Sequence, residues 1–416
     1  MTVDGWYFIE QKTFAISSTN YAPGGPVFLA LSGEVPAMTY EEFTDHTEMG
    51  FLAEEMGAMM LLLEHRGYGT SRITDDLTTD SLRFLSVEQA LADAVVFIRS
   101  VVAKLSLANP RFVTFGCAYG GALSAWLRRE NPELTVGAVA SSPLMLPKVD
   151  VFEYSQVVNE SFAALGCQAE ISDAFAAVHN AFLTIDGRNQ LNAAFSLCTN
   201  FTEDSVDERD RQTFFQRLIA PFFSALESSA HLEDLTNVCT TMTDTTIPLL
   251  TRLNRMLGFY SCLDWSYANQ LLPFMNTDYD YANDGDRQWL WQRCTQLGLF
   301  PSTDCGRNSF GSSLPIEWKR TFSNTLDAFG DQRTFEVATN LLVISGANDP
   351  WKALALQARD SNDGEGITFL DDRRSAFLLL RNHAGHCFDN HPPLTDHKNK
   401  PLFKKIKKHL EAWLQQ

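Results

Sequence analysis

The residues with the clearest chemical meaning lie around position 118. The stretch 111–122 has the pattern of a buried strand, a glycine-flanked turn and the start of a helix. A strand, turn and helix with the pattern G-x-S-x-G lift a serine hydroxyl above a sheet, where it can attack a carbonyl. Here the pattern is Gly116-Cys117-Ala118-Tyr119-Gly120, so alanine occupies the position of the nucleophile. The turn indicates a hydrolase, although the residue at its apex has no hydroxyl.

An acid and a histidine follow later apolar runs, in the order that a triad of this type requires. Asp349 comes just after the run 340–345, and His386 follows the run 375–380. In such a triad the imidazole takes the hydroxyl proton, and the carboxylate holds the imidazole in the right tautomer. His383 competes for the role of the base. His383 and His386 together have the spacing of half a metal site, but further ligands at short spacing do not follow, so we expect no metal and no cofactor.

The elements that position these residues indicate an α/β fold. Apolar runs in the first 145 residues have the continuous hydrophobicity of parallel strands that are buried on both faces. Between them, 86–98 has the pattern of an amphipathic helix with Ser86 as its N-cap. The patterns then become helical, polar and cysteine-rich. We predict an α/β-hydrolase domain in residues 1–147 and 336–416, with a helical, disulfide-containing cap domain at 148–335. The predicted strands are 26–32, 59–63, 112–115, 136–140, 340–345 and 375–380, and the predicted last helix is 402–414.

Composition argues against two classes of partner. The 416-residue chain is 45% hydrophobic, as in folded globular proteins, and has a formal net charge of −18 and a pI of about 4.9. Nucleic-acid binding is not expected, because the lysine-rich segment 404–408 lies on a helical pattern as a solvated face. No apolar run approaches the length of a membrane span, so no membrane partner is expected.

The cysteines indicate an oxidising compartment. Six of the eight cluster in the predicted cap, as three disulfides of one region would, and they are Cys167, Cys198, Cys239, Cys262, Cys294 and Cys305. Cys117 and Cys387, which flank catalytic positions, are expected to stay reduced. Asn159 and Asn200 begin glycosylation sequons in the same region. A secreted protein would have lost its signal peptide, because the first residues have no such pattern. The alternative is a cytosolic protein with buried thiols.

Several long segments resemble the family of prolylcarboxypeptidase, dipeptidyl-peptidase II and thymus-specific serine protease, over nearly the whole chain. They are 23–29 with Gly33-Glu34, 64–71, 85–93, the turn at 116–120, 289–298, 348–351 and 386–389. The resemblance implies a lysosomal or secreted serine peptidase that cleaves after proline, with a helical cap over an α/β-hydrolase domain. It also implies that position 118 is the nucleophile, Asp349 the acid and His386 the base.

Ala118 departs from the pattern of that family, and three explanations are open. The first is a deliberate serine-to-alanine change, made to trap substrate or to prevent self-digestion, which leaves an inactive form able to bind substrate. The second is a natural pseudoenzyme that acts as a peptide-binding protein. The third is another nucleophile, for which Cys117 is the candidate, although the residue before the apex is expected to point away from the histidine. The intact acid, histidine and glycines favour the first explanation.

The remaining site residues follow from the turn and from the shape of proline. Backbone N–H groups of Tyr119 and of the loop at Gly33 and Glu34 are expected to form an oxyanion hole. A proline ring needs an apolar pocket of matching shape, and the aromatic candidates for its walls are Trp351, Tyr119, Trp289 and Trp291. The expected partner is a proline-containing peptide, with a second copy of the chain as a further candidate. Either end of the peptide could be recognised, its amine by Glu34 or its carboxylate by an arginine of the cap. A lipase or esterase would fit the triad but not the cap segments.

Overall fold

A computed structural model describes residues 5–9, 12–37, 47–202, 206–258, 262–279, 285–316, 339–355, 367–369, 376–390 and 399–416. The described strands are β1 (Gly5–Ile9), β2 (Lys12–Ser17), β3 (Val27–Leu31), β4 (Met59–Leu63), β5 (Phe112–Cys117), β6 (Gly137–Ser141), β7 (Lys148–Asp150), β8 (Gly298–Phe300), β9 (Leu341–Gly346), β10 (Ile367–Phe369) and β11 (Ala376–Arg381). The described α-helices are α1 (Glu48–Met56), α2 (Thr79–Leu82), α3 (Val87–Leu105), α4 (Ala118–Glu130), α5 (Phe152–Ala164), α6 (Gln168–Phe182), α7 (Ile185–Ala194), α8 (Glu208–Ser228), α9 (Thr236–Thr243), α10 (Leu249–Met256), α11 (Tyr267–Met275), α12 (Asp286–Gln292) and α13 (Lys400–Leu414). Short 3₁₀ turns lie at Leu232–Leu235, Lys352–Leu354 and Phe388–Asn390, and a π turn lies at Arg293–Leu297.

Nine of the described strands form one sheet in the order β1-β2-β4-β3-β5-β6-β9-β11-β10. The six strands from β4 to β11 in this order run parallel, and β2 and β10 run antiparallel to their neighbours. This order, with helices on both faces, is that of an α/β-hydrolase, so the predicted fold class is confirmed. Because the six strands share one direction, their carboxyl ends meet at one edge of the sheet.

An apolar layer packs against each face of the sheet. All five residues of β4 are buried, as the continuous apolar run predicts. Helices α3 and α4 cover one face, with Trp126 fully buried there. Helices α1 and α13 cover the other face. An added Cβ at Gly137 would lie 2.1 Å from the Trp413 ring, so only glycine lets α13 pack this closely on β6. Helix α3 runs to Leu105, further than predicted.

The helices α5 to α12 lie in the chain between β6 and β9. Their packing centres on aromatic side chains such as Phe162, Phe175 and Phe222, all buried. The strands β7 and β8 pair in parallel where the chain enters and leaves this helical part. The predicted boundary after residue 147 falls just before β7, and the one after residue 335 lies outside the described residues. Both boundaries stay predictions. No described helix has the length and hydrophobicity needed to cross a membrane.

The cysteine pairing differs from the prediction in one respect. Cys167 pairs with Cys239 and Cys198 with Cys262, both within the helical part. The predicted third cap disulfide is wrong, because Cys294 and Cys305 are free and half-buried.

The third disulfide instead joins Cys117 to Cys387, across 270 residues with a Cα–Cα distance of 6.0 Å. The expectation that these two stay reduced is therefore wrong. Cys117 ends β5 and Cys387 follows β11, so the parallel sheet brings both to the same edge. Because the two cysteines are 270 residues apart, their positions in the sequence do not indicate that they are in contact.

Candidate active site

Ala118 lies at the apex of the turn between β5 and α4, half-buried, with a φ of 51°. A non-glycine residue in the left-handed region is uncommon, and such residues cluster at functional sites. The flanking glycines make the turn possible, since an added Cβ at Gly116 would lie 2.2 Å from the Gly120 carbonyl oxygen. An added Cβ at Gly120 would lie 2.4 Å from the Leu31 oxygen. This geometry is that of a nucleophile elbow.

The predicted acid and base meet above the sheet. Asp349 follows β9 and His386 follows β11, and His386 Nδ1 lies 3.0 Å from Asp349 Oδ1. The same carboxylate oxygen accepts a hydrogen bond of 2.9 Å from the Trp351 backbone N–H. The Asp349 side chain is only 1% exposed, and that of His386 is 11% exposed. His383 is exposed, and its backbone carbonyl accepts a hydrogen bond from the Leu232 N–H.

The environment of His386 favours its charged form. Burial alone would lower the pKa of the imidazole, but the charge of Asp349 and its hydrogen bond raise it, as do the charges of Glu227 and Glu34. The pKa rises in total to about 9. Without substrate, His386 is therefore an imidazolium at neutral pH.

The two expected sources of oxyanion donors lie side by side. Tyr119 is in the first turn of α4, where backbone N–H groups have no acceptor within the helix. An added Cβ at Gly33 would lie 3.1 Å from the Gly120 nitrogen, so the loop after β3 runs against this turn. The role of Tyr119, Gly33 and Glu34 as an oxyanion hole stays a prediction.

Residues 7–393 match the serine carboxypeptidase S28 family. The chain belongs to this family. A serine protease relative from Caenorhabditis elegans is 32% identical over 393 residues, which is 85% of this chain and 76% of the relative. The human thymus-specific serine protease is 30% identical over 413 residues, 88% of this chain and 75% of that protein. The bovine lysosomal Pro-X carboxypeptidase is 26% identical over 385 residues, 84% of this chain and 76% of that protein.

In this S28 chain, Tyr119 connects the elbow to the cap through a buried network. Its hydroxyl accepts a hydrogen bond of 2.9 Å from Gln292 Nε2 and lies 3.1 Å from His65 Nε2. The 2.8 Å contact from His65 Nδ1 to the Arg66 carbonyl assigns the proton to Nδ1, so Tyr119 donates to Nε2. Gln292 Oε1 accepts from the Tyr68 hydroxyl at 2.5 Å. The sequence did not single out Gln292, although it lies within the segment 289–298.

The four aromatic pocket candidates separate into two groups. Trp351 and Trp289 are half-buried beside the catalytic residues, Trp351 against Tyr154 and Trp289 against Tyr119. The ring of Tyr119 is fully covered, and Trp291 packs in a separate cluster around Tyr68. Trp351 thus follows the triad acid and Trp289 contacts a residue of the elbow, whereas Trp291 contacts neither in the described structure; the role of all four as pocket walls stays a prediction.

Glu227, close to the end of α8, is a site residue that the sequence gave no reason to choose. Its carboxylate accepts a 2.8 Å hydrogen bond from Trp351 Nε1 and a 3.1 Å hydrogen bond from the Tyr154 hydroxyl. Glu34, in the loop after β3, is half-buried, and burial raises its pKa while the charge of His386 lowers it. Two carboxylates outside the triad thus act on the imidazole.

Arg293 is a cation whose charge interacts with those of both acids. Burial lowers its pKa to about 10, while the charges of Glu227 and Glu34 raise it. Its Nη2 donates to the Leu299 carbonyl at 2.6 Å, and its guanidinium lies 4.3 Å from the centre of the Phe300 ring. This segment belongs to 289–298, so the resemblance marked the region but not the role of the arginine.

Cys117 was expected to point away from the histidine, and this expectation is wrong. The sulfurs of Cys117 and Cys387 and one ring nitrogen of His386 lie within 4.8 Å of one another. The covalent bond between the two sulfurs leaves no thiol at either position. Cys117 in this form cannot replace the missing serine.

The two sequons differ in their exposure. Asn200 is exposed, whereas Asn159 is half-buried and its side-chain oxygen accepts a 2.8 Å hydrogen bond from Ser309. Because a glycan must be attached to the side-chain amide, Asn200 is the better candidate. Glycosylation of either residue stays a prediction.

Proposed function

We propose that this chain binds proline-containing peptides in the active-site cleft of an S28 peptidase without cleaving them. The observation that carries the proposal is an ordered Asp349–His386 pair beside an elbow whose apex is Ala118. Covalent catalysis needs a nucleophile next to the base. Ala118 has none, and the nearest sulfur is held in a disulfide. The proposal holds whether Ala118 results from a deliberate replacement of serine or from a natural pseudoenzyme, because the chain lacks the nucleophile in both cases.

The proline would lie between Trp351 and Trp289, with the cap helices closing over the peptide. Ground-state contacts do not depend on the serine hydroxyl, so binding should survive its loss. We expect a peptide with proline before the scissile position to bind at least about ten-fold more tightly than one with aspartate there, a difference of about 1.4 kcal/mol. Isothermal titration calorimetry measures both affinities. Fluorophosphonate labelling should be absent. Equal affinities would contradict the proline pocket.

The charges around the site favour the amino end of the peptide as the group that is recognised. The triad acid and the imidazolium balance each other, and Glu34 and Glu227 outnumber Arg293. Arg293 is already engaged by a backbone carbonyl and an aromatic ring, whereas the two donors to Glu227 in the described part of the chain, Trp351 and Tyr154, are neutral. A free α-amine near these carboxylates would complete the charge balance.

Replacing Glu227 with glutamine should therefore weaken binding of a free-amine peptide about ten-fold or more, because a hydrogen bond to a charged group is worth roughly 1.5–3 kcal/mol. The N-acetylated form of the same peptide should bind the parent and the variant equally. Glu208→Gln, at the exposed start of α8, is the matched control. An equal loss for both peptides would mean that Glu227 only supports Trp351. A loss confined to peptides with a free carboxylate would favour Arg293 as the recognising group.

We further propose a lysosomal or extracellular location. Three disulfides suit an oxidising compartment. The bovine relative carries the word lysosomal in its name. The exposed sequon at Asn200 is compatible with passage through the secretory pathway.

A further inference from the structure

We propose that the Cys117–Cys387 disulfide is a redox-active site, reduced by small dithiols, and that reduction leaves a thiolate beside the imidazolium of His386. Binding of a peptide uses neither sulfur, so this reactivity is separate from the proposed function. The site comprises the last residue of β5, the residue after the triad histidine and the histidine itself.

The first support is the geometry of the three side chains. Both sulfurs and a ring nitrogen of His386 lie within 4.8 Å of one another. Nδ1 of that ring is bonded to Asp349, which leaves Nε2 as the nitrogen that can donate to a sulfur. Among the residues that the structure describes, no comparable cluster includes the sulfurs of the other two disulfides.

The second support is charge. A neighbouring cation lowers the pKa of a thiol and so stabilises the reduced pair relative to the disulfide. The groups that hold His386 in its charged form are Asp349, Glu227 and Glu34. Asp389, a further acid two residues after Cys387, is fully buried, and burial raises its pKa. That carboxyl therefore opposes a thiolate less than an exposed aspartate would.

The third support is access. Cys117 is half-buried and lines a cavity of about 540 Å³ that also contacts Gly33, Glu34 and Ala118. Cys387 is only 7% exposed. A small thiol that enters the cavity therefore reaches the Cys117 sulfur first.

The reaction balances with a dithiol as the reductant. One thiolate of the reagent attacks Cys117 Sγ, the bond to Cys387 breaks, and Cys387 leaves as a thiolate next to His386. The second thiol of the reagent then attacks the mixed disulfide and releases the Cys117 thiol. Two electrons and one proton pass to the protein, the proton of the attacking thiol goes to the solvent, and the reagent becomes a cyclic disulfide.

The first test equilibrates the folded protein with dithiothreitol at graded ratios of its dithiol and disulfide forms. Acid quenching, alkylation and peptide mass mapping then give the reduced fraction of each pair. We expect Cys117–Cys387 to be half reduced at a ratio at least about ten-fold more oxidising than Cys167–Cys239 needs. Reduction of the two pairs at the same ratio would overturn the proposal.

The second test measures iodoacetamide labelling of the reduced protein at pH 6. Cys117 or Cys387 should react at least about ten-fold faster than Cys294, the thiol of which has a pKa raised by burial. His386→Gln should abolish the difference. Asp349→Asn removes the charge that stabilises the imidazolium, so it should also reduce the difference in labelling rate. Labelling rates that neither variant changes would overturn the role of His386.

Discussion

Replacing Ala118 with serine should turn the chain into a peptidase that cleaves after proline, with a gain in turnover of about 10⁶, the cost of removing the nucleophile of a triad. The acid and base are already in place, with Nδ1 of His386 bonded to Asp349. The new hydroxyl would stand at the elbow apex, where His386 Nε2 can take its proton. A fluorogenic panel of proline-containing peptides measures the gain.

The pH dependence of the restored activity follows from the pKa of His386. The free protein holds this base protonated up to about pH 9, so kcat/KM should rise with pH towards that value. A peptide amine bound near Glu34 and Glu227 would cancel part of the negative charge that raises this pKa. The profile of kcat, which reports the complex, should then rise at lower pH than that of kcat/KM. An N-acetylated peptide should not show this difference.

Ala118→Ser combined with His386→Gln is the control, because it has the hydroxyl but lacks the base. It should stay near the activity of the parent chain. A well-folded Ala118→Ser variant that binds proline peptides but cleaves none would contradict the view that only the hydroxyl is missing. Cleavage that survives His386→Gln would show that the activity does not come from this triad.

The elbow and the catalytic pair could be predicted from sequence because each is local in the chain. Glycines that permit a close approach surround Ala118, and Asp349 and His386 each follow one buried strand. In a parallel sheet all such ends meet at one edge, so a correct strand assignment was sufficient. The six predicted strands agree with β3, β4, β5, β6, β9 and β11 to within two residues at each end.

The residues that the sequence could not reveal depend on contacts between distant parts of the chain. Cys117 and Cys387 were expected to stay reduced because they flank catalytic positions, although the sheet places them in contact. Glu227 stands in an ordinary amphipathic helix, and only the packing of Trp351 and Tyr154 fixes its carboxylate at the site. Contacts between side chains of the cap and of the sheet domain depend on how the two parts pack together, and the hydrophobic periodicity of the sequence does not specify that packing.

Two acids, Glu48 and Asp389, form a buried pair close to the elbow. Glu48, the first residue of α1, is 4% exposed and contacts Asp389, which is 0% exposed. Burial raises the pKa of Glu48 well above its usual value, and the charge of Asp389 raises it further. Burial also raises the pKa of Asp389, against hydrogen bonds from Ser141 and Glu48. Two adjacent carboxylates have no hydrogen-bond donor between them. If the pair keeps one proton, the protonated carboxyl can donate a hydrogen bond to the other carboxylate.

Because the pKa values of Glu48 and Asp389 are raised in the folded protein, this pair stabilises the protein more at low pH than at neutral pH. Carboxyls whose pKa is higher in the folded state bind more protons there than in the unfolded chain. Their contribution to stability is fully present below the unfolded pKa, about 4.3 for glutamate, and is lost as the pH rises through the folded pKa. His386 acts in the same direction at higher pH, between its unfolded pKa of 6.5 and its folded pKa of about 9. These buried groups should therefore contribute more to stability in acid than at neutral pH.

Glu48→Gln should flatten this dependence, because the amide donates a hydrogen bond to Asp389 without holding a titratable proton. The free energy of unfolding of the parent should fall by about 1.4 kcal/mol per pH unit for each proton that the pair retains above pH 5. The variant should match the parent near pH 4.5 and exceed it increasingly towards pH 7.5. Urea unfolding at pH 4.5, 6 and 7.5 measures the difference, with the exposed Glu54→Gln on the same helix as the control. Parallel curves for the parent and Glu48→Gln would show that the buried pair is fully ionised and carries no proton into the folded state.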